Sequence, residues 1–178
     1  KIEDMDEEEF IELREISCGS IFRCILIYHI KKCQLFALKK PYDSISEYQK
    51  LMERETSNYE RINHPLLPKY YGTVKDKKYL IIEFIIGKTL DNIDIDSLTN
   101  ENLLVIIFEL MIIINYFHKN EMIYRDLKPN NIIIDNNKNA ILIDFDRMID
   151  ISTINDNTKF TLDISTEFIA PEIATGNI

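Results

Sequence analysis

Apolar residues recur through Phe10 to Lys40, and an alternating run ends at Phe36-Ala37-Leu38-Lys39. Turn residues interrupt the pattern near Cys18-Gly19 and Lys31-Lys32, which predicts three strands. Beyond Ser44 the pattern changes. Ser44 followed by Glu47 has the form of a capping box. It predicts a helix to about Ile62, stopped by Asn63-His64-Pro65, because proline disfavours helical backbone in the residue before it. Leu66 to Val74 and Lys78 to Ile86 read as two more strands. After Gly87 comes a polar connection rich in Asp and Asn, then Thr99 as N-cap of a long apolar helix ending near Lys119. The stretch from Leu103 to Ile114, broken by Glu109, is short for a membrane span and reads as a buried helix. A β-branched run, Ile132–Ile134, and a second apolar run, Ala140–Ile143, predict a last pair of short strands. The whole is an α+β pattern: a small antiparallel sheet with one helix, then a mainly helical part.

Composition narrows the partners. A net charge of −9 and a pI near 4.9 argue against nucleic acid or an anionic membrane as direct partners, because both reward basic surfaces. Cys18, Cys24 and Cys33 are too few and too scattered for a disulfide framework or a metal site, so a reduced, intracellular and cytoplasmic setting is expected. The first nine residues form an acidic leader without the basic-then-apolar order of a signal peptide. Only 4 glycines occur, where an average chain of this length holds roughly a dozen.

The chemistry concentrates in Tyr124-Arg125-Asp126-Leu127-Lys128-Pro129-Asn130-Asn131. One short loop there holds a carboxylate, a lysine two residues on and an amide five residues on. A second acid, Asp144, closes the run Ala140–Ile143 and opens Asp144-Phe145-Asp146. Loop, strand, turn, strand and acid in that order can hold a base and two metal ligands around one phosphate. Phosphoryl transfer is the leading chemistry.

These residues resemble the protein kinase family, and its serine/threonine branch in particular. The family pattern H-R-D-L-x-x-x-N is matched by Y-R-D-L-K-P-N-N, and D-F-G by Asp144-Phe145-Asp146. Phe36-Ala37-Leu38-Lys39 resembles V-A-I-K, Glu55 sits where the lysine's helical partner is expected, and Ala170-Pro171-Glu172 matches A-P-E. The resemblance runs from about Phe10 to the last residue. It implies a two-lobe fold, with residues 10–86 as the small lobe and 87–178 as a partial second lobe, expected to be cut short because further helices follow A-P-E in the family.

The resemblance also implies roles. Asp126 would be the catalytic base and Lys128 would steady the γ-phosphate of ATP. Asn131 and Asp144 would hold Mg²⁺, and Lys39, paired with Glu55, the α- and β-phosphates. Ile16, Gly19, Cys24, Ala37 and Ile133 would line the nucleotide. Backbone groups of Glu83 and Ile85 would meet adenine behind Ile82, and Tyr59, Tyr124 and Phe145 would belong to a stacked apolar spine. Protein substrates and an upstream activating kinase are the implied partners, with Arg125 receiving a phosphate placed on Thr158 or Thr161.

Two departures bear on activity. The pattern G-x-G-x-x-G falls on Ser17-Cys18-Gly19-Ser20-Ile21-Phe22, where only Gly19 remains, so side chains at 17 and 22 stand where phosphates approach the backbone. Asp146 replaces the glycine of D-F-G; aspartate tolerates unusual backbone angles better than most residues. These departures motivate an alternative, a pseudokinase that binds nucleotide or docks proteins without transfer.

Overall fold

The computed structural model describes residues 5–19, 21–43, 46–74 and 79–153, together with Phe168 and Pro171. The chain divides into two compact units, Lys1–Ile86 and Gly87–Ile178.

In the first unit, β1 (Phe10–Cys18), β2 (Phe22–His29) and β3 (Gln34–Pro41) form an antiparallel meander. Helix α1 (Ser46–Arg61) follows, then β4 (Tyr70–Thr73) and β5 (Leu80–Glu83). The sheet order is β1-β2-β3-β5-β4. Side chains alternate across it, so Ile25 and Ile27 of β2 meet Phe36 and Leu38 of β3 and Ile81 of β5 in one cluster. Cys24, Ala37 and Lys39 fall on the opposite face.

Two details differ from the sequence expectation. The leader is not simply solvated: Met5 is buried in the same cluster, and its N–H donates to the carbonyl of Thr73 at 2.8 Å. That contact pairs Met5 with Val74 and covers the open edge of β4. The strand expected from Leu66 begins only at Tyr70, because His64 holds Leu66 and Leu67 in a turn through its Nδ1 and its carbonyl. The proposed cap Ser44 lies outside the described residues.

In the second unit, β6 (Gly87–Thr89) precedes α2 (Asn100–Lys119) and β7 (Met122–Ile123). Then come β8 (Ile132–Asp135), β9 (Ala140–Leu142) and β10 (Ile149–Asp150). The sheets are β6-β8-β9 and β10-β7. Strand β6 occupies the start of what reads as a polar connection. Gly87 permits it, since a Cβ there would collide with the carbonyl oxygen of Ile134 and stand 2.7 Å from Cγ2 of Ile133.

Helix α2 starts as its cap predicts. Thr99 Oγ1 accepts from the N–H of Asn102, and Asn102 Oδ1 accepts from the N–H of Thr99. Its surroundings differ from the expectation of a buried helix. Ile106, Ile113 and Phe117 are buried, while Leu104, Phe108 and Met111 are exposed among the described residues. At 20 residues it is also long and apolar enough to cross a membrane by length and composition alone. Glu109 ties it into the unit, its Oε2 accepting from the N–H of Ala140 at 2.6 Å.

Candidate active site

The loop between β7 and β8 is shaped by its own sequence. Pro129, with φ fixed near helical values, opens a single 3-10 turn over Pro129–Asn131 after an extended Lys128. The turn folds the amide of Asn131 back onto Asp126. Asn131 Nδ2 donates to Asp126 Oδ2 at 2.8 Å and to the Asp126 carbonyl at 3.0 Å. Lys128 Nζ donates to the same Oδ2 at 2.8 Å. Asp126 is only 4% exposed, so this carboxylate is desolvated and its direction is set by two donors on one oxygen. The second oxygen, Oδ1, faces Arg147 NH1 at 4.0 Å, beyond hydrogen-bond range. That NH1 is buried without a hydrogen-bond partner.

The hairpin β8–β9 carries the other acid. Ile132 pairs with Leu142, and the next rung is closed by the Ile143 N–H donating to the Asn131 carbonyl at 2.9 Å. Asn131 and Asp144 are thereby fixed at the open end of one hairpin. At the other end Asp135 Oδ1 accepts from the N–H groups of Asn137 and Asn139, both at 2.8 Å. Asp144 has φ of 67° and Arg125 of 71°, left-handed backbone that costs about 1–3 kcal/mol per residue and gathers at functional sites. Asp146 is not in that region, so its substitution for glycine meets no backbone demand.

Aromatic packing locks both segments. The rings of Phe117, Tyr124 and Phe145 meet pairwise at centroid distances of 5.9–6.0 Å. The Tyr124 hydroxyl donates to the Ile143 carbonyl at 2.5 Å, so a tyrosine ahead of Arg125 fastens the residue before Asp144. Phe117 and Arg147 escaped the sequence reading. Phe117 ends an apolar helical run and reads as plain core; the charge reversal in Asp146-Arg147 was the available signal for Arg147.

In the first unit, Lys39 Nζ donates to Glu55 Oε1 at 2.8 Å, with Glu55 wholly buried and Lys39 12% exposed. Cys24 lies opposite Lys39, and Leu26 opposite Ala37, on the same sheet face. Ile16 is the extra residue of a β-bulge between Glu15 and Ser17. The Gly19 N–H closes the β1–β2 hairpin onto the Phe22 carbonyl at 2.8 Å. The Phe22 ring centroid lies 5.3 Å from Lys39 Nζ. Glu83 ends β5, and its N–H donates to the Lys69 carbonyl at 2.8 Å; Ile85 lies in the unpaired segment beyond. Tyr59 is buried in this unit, 6.3 Å from the Tyr70 ring. Ile133 sits in β8 between Thr89 and Ile141. Thr158, Thr161, Ala170 and Glu172 lie outside the described residues.

A family model described as the protein kinase domain matches residues 10–177. The chain belongs to the protein kinase family. It is 30% identical over 173 residues to the cAMP-dependent protein kinase catalytic subunit of Dictyostelium discoideum, covering 93% of this chain and 26% of that protein. It is 29% identical over 166 residues to the carbon catabolite-derepressing protein kinase of Saccharomyces cerevisiae, covering 90% of this chain and 26% of that protein. The Aurora kinase of the same yeast is 28% identical over 182 residues, covering 97% of this chain and 48% of that protein. The chain thus spans about a quarter of the length of the first two relatives. The antiparallel sheet with one helix in the first unit is the small lobe of a kinase fold.

Proposed function

We propose that the protein transfers the γ-phosphate of ATP to serine or threonine hydroxyls of intracellular protein substrates. One observation carries the reading: a nearly buried Asp126 carboxylate whose Oδ2 is held by both Lys128 and Asn131. A serine hydroxyl is a weak nucleophile until its proton has an acceptor. Asp126, fixed through Oδ2, presents Oδ1 as that acceptor. Lys128, already beside the carboxylate, supplies positive charge where the transferred phosphoryl oxygens gather. Lys39, oriented by Glu55, binds the phosphates that stay behind.

The donor set suits Mg²⁺, a hard cation held by one or two carboxylates plus phosphate oxygens and water. Asn131 spends its amide N–H on Asp126, which leaves its oxygen as a ligand beside the Asp144 carboxylate. Bound there, Mg²⁺ would neutralise charge on the phosphates.

The test is transfer of labelled γ-phosphate from Mg·ATP to a generic protein by the full-length protein. Positioned bases contribute roughly 10²–10⁴-fold, so Asp126→Asn is expected to lower kcat by about 10²-fold or more with little change in nucleotide affinity. Undiminished transfer by that variant would sink the mechanism. Phe22 over Lys39 favours a second reading, a pseudokinase. Tight Mg·ATP binding without turnover in the folded protein would select it.

A further inference from the structure

Phe22 is an aromatic residue on the wrong side of its sheet for core packing. In the β2–β3 register it lies opposite Pro41, while Cys24 lies opposite Lys39. Residues two apart share a face, so Phe22, Cys24 and Lys39 point the same way. The apolar cluster of Ile25, Ile27, Phe36 and Leu38 occupies the other face. Phe22 is nonetheless only 7% exposed. Its diagonal neighbour on that face is Lys39, and aromatic and long side chains meet across such a diagonal. The ring centroid stands 5.3 Å from Lys39 Nζ, within cation–π range. The hairpin holds the ring there, because the Phe22 carbonyl accepts from Gly19 and the Ile21 carbonyl accepts from the N–H of Tyr42.

We propose that Phe22 is a built-in competitor for the nucleotide's phosphates, its ring covering the Lys39 ammonium that they need. This rests on the reading that Lys39 binds phosphate. Glu55 occupies one side of the ammonium, and the ring takes a second. A phosphate oxygen must reach hydrogen-bond distance of Nζ, so the ring swings away before the triphosphate seats. A partly desolvated cation–π contact is worth about two- to thirtyfold in an equilibrium. Nucleotide affinity is lowered by that factor, and the protein responds to nucleotide only at high concentration.

The experiment is calorimetric titration of the full-length protein with Mg·ATP and, separately, with adenosine. The proteins are the wild type, Phe22→Gly, Phe22→Leu and Lys39→Met. Phe22→Gly is expected to bind Mg·ATP about tenfold more tightly and adenosine no more tightly, while melting at a lower temperature because a buried ring is gone. Tighter binding in a less stable protein is not what loss of a merely structural residue produces. Should Phe22→Gly fail to fold, Phe22→Leu keeps the bulk without the aromatic face and is expected to gain about threefold. Unchanged or weaker Mg·ATP binding in the folded Phe22 variants, with binding lost in Lys39→Met, overturns the inference and leaves the phosphate role of Lys39 standing. Equal gains for adenosine overturn it too, since adenosine has no phosphate. No binding by any folded variant overturns both.

Discussion

Glu55 and Lys39 set the energetics of the first unit at the scale of single residues. The carboxylate is wholly buried, whereas the lysine retains contact with solvent. Removing one partner of a buried pair leaves the other charge poorly compensated, at about 3–5 kcal/mol, and the cost depends on which is left behind. Lys39→Met strands the buried carboxylate and is expected to destabilise by about 3 kcal/mol. Glu55→Gln leaves an ammonium that water can reach and is expected to cost less than half as much. Denaturant midpoints of the two variants check this, and equal losses would refute the asymmetry. The pair was legible in the sequence through the family resemblance, which puts the lysine at the end of one strand and its glutamate in the following helix. The ring that crosses it was not, since only the register of β2 on β3 puts Phe22 diagonal to Lys39. Arg147 was hidden for a similar reason. Its approach to Asp126 joins residues 21 apart in sequence through the turn after Asp144.

At the scale of elements, strength of pattern decided what could be read. Strands β1, β2 and β3 run for eight or nine residues each, bounded by turn residues, and stand where expected. Strands β6, β7 and β10 have two or three residues, too few to show any period, and depend on a partner elsewhere in the chain. Helix α2 combines both cases. Its start is local chemistry, a threonine and an asparagine three residues on, whose reciprocal hydrogen bonds satisfy two backbone donors. Thr99→Ala is expected to cost about 1 kcal/mol, and Thr99→Ser close to nothing, because serine offers the same acceptor. Thermal midpoints measured side by side would show it; equal loss in both variants would place the effect in the threonine methyl instead. Which face of the helix is covered is not local. The buried stripe of Ile106, Ile113 and Phe117 is chosen by packing partners, among them β9 and the Tyr124–Phe145 pair.

For the molecule as a whole, two histidines of the first unit weaken the fold as pH falls below neutrality. Burial holds His29 below the ordinary histidine pKa, reinforced by the charges of Lys32 and Lys31 and opposed by Glu9, whose Oε2 lies 3.6 Å from Nε2. The Nδ1 atom accepts from the N–H of Lys32, and the Phe36 ring packs edge-on against the imidazole. Burial lowers His64 as well. A depressed pKa means that the folded chain resists a proton that the unfolded chain accepts. As pH falls below the unfolded value of about 6.5, the unfolded state binds more protons and folding stability drops. Glu9 acts in a lower window. Its hydrogen bond from Lys31 holds its carboxyl below the ordinary glutamate range, so that contribution survives until more acidic pH. Between neutrality and about pH 5, loss of stability therefore follows the histidines. Denaturant unfolding at pH 7.5 and pH 5.5 is expected to show a lower midpoint at the acidic value. His29→Asn, which retains an acceptor near the Lys32 N–H and cannot take up the proton, is expected to reduce that difference, and the double variant with His64→Asn to reduce it further. A midpoint that rises on acidification, or a difference untouched by both substitutions, would assign the dependence to other groups.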